Sequence, residues 1–297
     1  MKTKLTSILL ALFALTLIGC DDDDDAILVD SDPVPATPQG VFSVTGDEAV
    51  YVYFNGIYER DVDEYLVYRS LNATTGYTAI GAVDAVSNPD LDLIIYEYVD
   101  SDVTNGVTYY YAISAVDRAG QVSALSAEDV FDTPRPEGQA TIFPMEIDTS
   151  LAGFNLATGT VVTLNSAAAD VWIDSDTIRD ISYLNVGNDL IDIQDMGFTG
   201  SFDDIGWAPT DGWSELGWVE IVVGHTYVIW TEDENFAKMR AVSENGSGSI
   251  TFQWAFQTVV GNPELAPAQP KSTDRPEDYL KPRPGATLMS DLGSNAR

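Results

Sequence analysis

The residues able to do chemistry in this chain are few in kind, and one kind is present in great excess. One cysteine, Cys20, one histidine, His225, and 47 Asp plus Glu against 14 Lys plus Arg give its 297 residues a formal net charge of -33. A single imidazole excludes any site built on two from one chain. A single thiol excludes a disulfide framework, a CxxC redox pair and a multi-thiolate zinc centre. So strong a polyanion repels phosphate backbones, which excludes nucleic acid as a partner. A Ser-His-acid triad would need His225 as its base. Yet Gly224-His225-Thr226 falls where one strand turns into the next, and no GxSxG occurs. Two carboxylates suffice for glycoside hydrolysis, but the acids are scattered over turns and strand ends and no pair is singled out by apolar surroundings. No catalytic residue is assigned, and the chain is read as a noncatalytic protein.

Carboxylates are also the natural ligands of calcium. Asp100-Ser101-Asp102-Val103-Thr104-Asn105 begins as an EF-hand loop does, but Asn105 stands where that loop turns on Gly and Tyr111 where it closes on a bidentate Glu. Asp174-Ser175-Asp176 and the pair Asp192 and Asp195 leave irregular calcium sites open. No other metal and no cofactor is expected. The remaining chemistry is aromatic. All six tryptophans, Trp172, Trp207, Trp213, Trp218, Trp230 and Trp254, lie between residues 139 and 260. Three of them, Trp207, Trp213 and Trp218, fall in a glycine-rich stretch, residues 197–218, that reads as one large aromatic loop. They either present rings to a sugar, or another flat ligand, or cap an open end of a β-sandwich and are mostly buried.

The elements that position these residues begin with an address. Residues 1–19, MKTKLTSILLALFALTLIG, set Lys2 and Lys4 ahead of an apolar run that ends in a small residue, which is the anatomy of a cleavable secretory signal and too short for a permanent span. Leu17-Ile18-Gly19-Cys20 then resembles the lipobox of bacterial lipoproteins. The resemblance implies cleavage before Cys20, diacylation of its sulfur and acylation of the new amino group, making the lipid bilayer a partner through Cys20. Each buried methylene contributes about 0.8 kcal/mol, so several chains anchor permanently. Asp21 to Asp25 repel one another and stay extended. Such a cluster resembles the signal that exports lipoproteins to the outer face of the outer membrane in some Gram-negative groups, whereas in enteric bacteria an Asp after the Cys resembles an inner-membrane retention signal. The expected location is the cell envelope, with the outer membrane and its surface favoured. Residues 20–41 read as an acidic, Pro-containing tether.

From residue 42 to 135 short alternating runs separated by turns predict a β-sandwich. Val50, Val52 and Phe54 alternate with Tyr51 and Tyr53; Tyr65, Val67 and Arg69 alternate with Leu66 and Tyr68; after a variable loop and a run at 96–100, Asn105-Gly106 turns into a central strand, residues 109–117, and a last strand runs through Ser126. YLVYRS, YVD, TNGVTYYYAISAVD and RAGQVSALS resemble the bacterial form of the fibronectin type III module in order and spacing. The resemblance places Tyr109 at that module's tyrosine corner and Phe54 where it usually carries a core tryptophan, so a repacked core is expected. It implies a spacer or binding platform and no activity.

Residues 133–138 read as a stiff linker to a second, Trp-rich antiparallel β-sandwich over 139–260. Its strands are expected at 159–164, 170–173 and 190–193, and in a closing meander at 227–230, 236–242 and 250–257 with turns at 232–235 and 245–248. GFNLATGTVV, ADVWID and the meander loosely resemble haem-binding lipoproteins of the HmuY type. With His225 alone, a bis-histidine iron is excluded, and Met196 or Met239 would have to serve, so haem is an outside reading. Residues 261–297, with six prolines and five bases balancing five acids, read as a disordered, neutral tail. The fold class is thus mainly β, two consecutive sandwiches with disordered termini. The function expected is an envelope lipoprotein whose first sandwich presents a Trp-rich second one to an extracellular carbohydrate or protein. An accessory or divergent enzyme of extracellular polysaccharide is the alternative.

Overall fold

The computed structural model describes residues 33–86, 94–246 and 248–266. Cys20, the signal, the acidic run and the tail beyond residue 266 lie outside them. The regular elements described are seventeen strands and one short 3-10 turn, and no helix among them is long and apolar enough to cross a membrane.

The first sandwich contains β1 (Gln39–Thr45), β2 (Val50–Asn55), β3 (Val62–Ser70), β4 (Thr78–Asp84), β5 (Ile95–Asp100), β6 (Tyr109–Asp117) and β7 (Val130–Asp132). They form a three-stranded sheet in the order β1-β2-β5 and a four-stranded sheet in the order β4-β3-β6-β7. Two-residue alternation drives Val50, Val52, Phe54, Tyr65, Val67, Tyr111, Ile113 and Ala115 into one core. Around Phe54 three rings pack together: Phe54 lies edge-on to Tyr65 at 5.2 Å and stacked on Tyr96 at 5.5 Å, while Tyr65 and Tyr96 meet at 4.8 Å. The Tyr109 hydroxyl accepts the Thr104 N–H at 3.1 Å, closing the expected corner.

Two expectations are corrected here. β4 occupies part of the stretch read as a variable loop; as an edge strand none of whose residues is fully buried, it carries no strong burial alternation. The last strand expected through Ser126 is reduced to an isolated Val116–Val122 bridge, and β7 takes its place. The Ala115 and Ile113 N–H groups donate to the hydroxyls of Ser123 and Ser126, which interrupts a regular carbonyl ladder.

The second sandwich contains β8 (Glu137–Ile142), β9 (Gly153–Asn155), β10 (Thr160–Val162), β11 (Val171–Asp176), β12 (Ile181–Val186), β13 (Asp192–Phe198), β14 (Trp218–Glu220), β15 (His225–Trp230), β16 (Phe236–Glu244) and β17 (Ile250–Phe256). Its sheets run β10-β9-β11-β12-β14 and β13-β15-β16-β17-β8. Phe154, Ile173, Leu184, Ile193, Tyr227, Met239 and Phe252 fill the space between them. Trp254 packs edge-on to Phe154 at 5.7 Å over the Gly159 turn. A Cβ on Gly159 would fall 2.1 Å from its ring, and the backbone there has φ +62°, so both space and conformation require glycine.

The outer face of the second of these sheets is also covered. Trp230, Phe236 and Val228 pack with Ala208 and Leu265 from two straps of chain, residues 199–217 and 261–266. Leu265 and Ala266 donate their N–H groups to the Gly206 carbonyl at 2.7 and 3.0 Å, so the sandwich extends to residue 266 and the boundary at 260 moves. The other boundaries move too. β1 starts at Gln39 and buries Val41, taking the end of the tether into the first core. The presumed linker is a buried junction: Thr133 and Arg135 are fully buried, and Glu137 already opens β8. The two sandwiches belong to one compact unit that begins at Val34.

Candidate functional site

The tryptophans separate into those that hold the fold and those that face outward. Trp207 lies in the strap over the outer sheet face, bridges to Glu264 and sets its ring edge-on to Phe131 of the first sandwich at 6.2 Å. Trp213 packs on Trp230 at 5.9 Å and on Phe236 at 6.5 Å. Trp218 is elsewhere, on β14 of the opposite sheet, and is exposed. The three residues expected to act together are therefore dispersed, and the stretch at 197–218 is not one aromatic loop but the end of β13, a 3-10 turn, a strap and the start of β14.

Strand register gives Trp218 different companions. Across neighbouring strands Trp172 of β11 stands opposite Asn185 of β12, and Asn185 opposite Trp218 of β14. In the adjacent row Asp174 stands opposite Tyr183, and Tyr183 opposite Glu220. All six side chains point away from the core, whose residues on the same strands are Val171, Ile173 and Leu184. Trp218 and Glu220 are exposed and the other four half-buried. With strands about 4.8 Å apart, the two tryptophan positions lie roughly 10 Å from each other.

The face is preorganised. Trp218 meets the Tyr183 ring edge-on at 4.9 Å and 78°, and its carbonyl accepts the Ser214 hydroxyl at 2.8 Å. Trp172 Nε1 donates to the Val186 carbonyl at 3.2 Å, which fixes the indole across β12. Asn185 Nδ2 donates to Asp174 Oδ1 at 3.0 Å. Three anchored rings beside an amide and two carboxylates offer apolar faces for stacking and acceptors for hydroxyl groups. Trp172, Tyr183 and Asn185 were not singled out in the sequence because β12 is hidden within 181–186. On β12 Ser182 and Leu184 turn inward and Tyr183 and Asn185 outward, an order of burial that the hydropathy of the segment does not display.

The other sequence candidates have ordinary partners. Asp100 accepts from Arg69 Nη1 at 2.9 Å and from the Tyr111 hydroxyl at 3.0 Å, and Asp102 pairs with the same arginine. Asp174 is held by Asn185, Asp176 by Arg179 at 3.0 Å, and Asp195 by His225 Nδ1 at 2.9 Å. No group of three or more His, Cys, Asp or Glu fit to hold a metal occurs among the described residues. Met239 is buried in the sandwich core and Met196 packs against the outer-face cluster. Cys20 lies outside the described residues.

A second polar assembly sits where the sandwiches meet. Glu264 accepts the Thr133 N–H at 2.7 Å and the Thr133 hydroxyl at 2.9 Å, and that hydroxyl lies 2.9 Å from Thr108 Oγ1. Burial, and then the neighbouring Asp132, push the Glu264 carboxyl up to about 8. Burial likewise raises Asp132, against hydrogen bonds from Thr45 and Ser43 and the charge of Arg135. Arg135, fully buried, pairs with Glu137 at 3.0 Å. Gly106 of the first sandwich closes against Thr258 of the second, where a Cβ would lie 2.6 Å from Oγ1. This assembly joins the sandwiches through fully buried Thr133 and Arg135.

Neither a protein-family model nor a curated protein matches the chain. Among solved structures it is similar to an Fn3-like protein from Clostridium thermocellum, with 25% identity over 36% of this chain and 100% of that one, at a TM-score of 0.27. It is also similar to a beta-1,2-glucanase from Parabacteroides distasonis, with 25% identity over 35% of this chain and a TM-score of 0.27; the match spans 13% of that enzyme.

Proposed function

We propose that this is a lipid-anchored cell-envelope protein that binds neutral polysaccharide noncatalytically through the Trp172–Tyr183–Trp218 face. The observation that carries the reading is the register that sets two tryptophans, a tyrosine and an amide on one outward sheet face while the other four tryptophans pack inward or between straps. Aromatic faces stack on the apolar faces of sugar rings, and flanking acceptors take their hydroxyls. The charge selects among polysaccharides. A chain at -33, with Asp174 and Glu220 on the face itself, repels uronate or sulfate polymers. The lipobox at Leu17 to Cys20 supplies the anchor, and the first sandwich, fused to the second through the buried junction, holds the face off the membrane.

The rival reading, hydrolysis by Asp174 and Glu220, has their two-strand separation in its favour, since inverting glycosidases hold their carboxyls about 6.5–9.5 Å apart. It needs one acid kept protonated in closed apolar surroundings, and both acids stand on an open face. Affinity electrophoresis tests the proposal: neutral β-glucans retard the wild type in a native gel, and Trp172→Ala or Trp218→Ala weakens that retardation at least tenfold, equivalent to about 1.4 kcal/mol or more per ring. Equal retardation of all three chains would reject the face. Release of reducing ends from a retarding glucan would move the assignment to hydrolysis. Fatty-acid labelling that survives Cys20→Ser would reject the anchor.

A further inference from the structure

We propose that Lys238 and Asp203 become joined by an intramolecular amide bond. The Lys238 side chain is fully buried on β16, with Nζ donating to the Phe202 carbonyl at 2.8 Å and the Ile205 carbonyl at 3.3 Å, 4.2 Å from the centre of the Phe202 ring. Its remaining neighbour is Oδ1 of Asp203, at 3.6 Å. As an ion pair that contact is poor, being longer than a hydrogen bond. As a reacting pair it is well arranged: a neutral amine has two hydrogens and one lone pair, the two carbonyls take the hydrogens, and the carboxyl faces the lone pair. Burial, and then the nearby Arg135, lower the lysine to about 7, which makes the free amine available at neutral pH. Glu137, at the start of β8, is paired with Arg135 at 3.0 Å, and its charge is felt by both Asp203 and Lys238; burial raises its affinity for a proton against the opposing charge of Arg135.

Moving the proton of the ion pair from Lys238 to Asp203 gives amine and carboxylic acid. The amine lone pair then attacks Cγ of Asp203, and the C–N bond forms. Glu137 takes the proton that nitrogen loses and hands it to the departing hydroxyl. The C–O bond breaks and one water leaves, for which the half-exposed Asp203 side chain, at 44%, provides the exit. Nothing is oxidised or reduced. Groups held in this way react at effective concentrations of about 10⁵–10⁸ M, which speeds the condensation without an activating group. The product ties the 3-10 turn Phe202–Asp204 to β16 and fastens the strap across the outer sheet face. In a chain whose only cysteine is Cys20, this staple takes the place a disulfide would have.

Peptide mapping of the denatured full-length protein tests the bond. With Lys238 linked, trypsin cuts after Arg179 and Arg240 but not after Lys238, releasing one peptide of residues 180–240 that is lighter by one water than its sequence. In Asp203→Asn the same peptide is lighter by one ammonia. In Glu137→Gln the uncondensed peptides persist, and complete condensation there would overturn the role given to Glu137. Cleavage of the wild type after Lys238 into peptides of full mass would overturn the proposal outright, whatever the folding of the variants.

Discussion

Replacing Glu264 by Gln isolates the buried acid at the junction. The amide keeps the shape of the carboxyl. Its oxygen accepts the Thr133 N–H, and its NH₂ donates to the Thr133 hydroxyl, whose own hydrogen turns to Thr108 Oγ1, 2.9 Å away. What it removes is titration and the acceptor of a long contact from Asn262 Nδ2 at 3.5 Å. The carboxyl is raised from 4.5 to about 8 by burial and by Asp132, so between those values the folded chain holds a proton that the unfolded chain has released. Stability is then greatest below the unfolded value and falls as pH rises toward the folded one. At 1.36 kcal/mol per unit the loss is on the order of 5 kcal/mol across that window. Urea unfolding followed by tryptophan fluorescence at pH 5, 6.5 and 8 measures it, in about 1 M salt so that surface repulsion is screened beyond roughly 3 Å. At pH 5 the two proteins differ by about 1 kcal/mol; at pH 8 the variant is the more stable by several. Parallel curves from pH 5 to 8 would show that Glu264 is ionised throughout, held by Arg135, and would refute the reasoning.

Three further outcomes follow from single contacts. Gly159→Ala drives a Cβ to 2.1 Å from the Trp254 ring at φ +62° and costs about 2–4 kcal/mol of unfolding free energy in urea, with altered Trp254 emission. Arg69→Met leaves Asp100, 4% exposed in its side chain, without its guanidinium and costs about 3–5 kcal/mol, read from the same titration. Tyr109→Phe removes the hydroxyl that accepts the Thr104 N–H and lowers stability by about 1 kcal/mol, measured as a shift of the calorimetric midpoint.

The parts of the fold legible in the sequence are those where one face is buried and the other wet. Val50, Val52 and Phe54, or Ile250, Phe252 and Trp254, announce their strands because the pattern of burial repeats every two residues. β4 and β12 escaped for different reasons. β4 buries none of its residues fully, while β12 alternates in burial but turns Ser182 inward and Tyr183 outward, so the hydropathy of neither segment reports its faces. The candidate face was half legible. Trp218 was named, but its partners depend on β14 pairing with β12, a pairing between segments more than thirty residues apart that no local pattern encodes. Proline misled in two places. Pro134 and Pro136 suggested a stiff linker, and Pro263 a loose tail, yet both stretches run through the junction, where Glu264 meets Thr133.

That meeting changes what the acidic composition means. Thr133, Arg135 and Glu264 bind the sandwiches through groups that are costly to bury singly and tolerable only together. A hinge between the domains would expose Glu264 to water and to the negative field of the remaining acids, a loss that buried partners resist. The excess of carboxylates is therefore spread over a body whose two halves are held by buried polar contacts, and the Trp172–Trp218 face keeps its orientation to the first sandwich, because that sandwich is locked to the same chain that builds the face. Loosening the junction by Thr133→Val should therefore weaken retention on a multivalent glucan more than capture of a short oligosaccharide, since only the former depends on how many faces are aligned at once. Equal weakening of both would place the effect within the face itself.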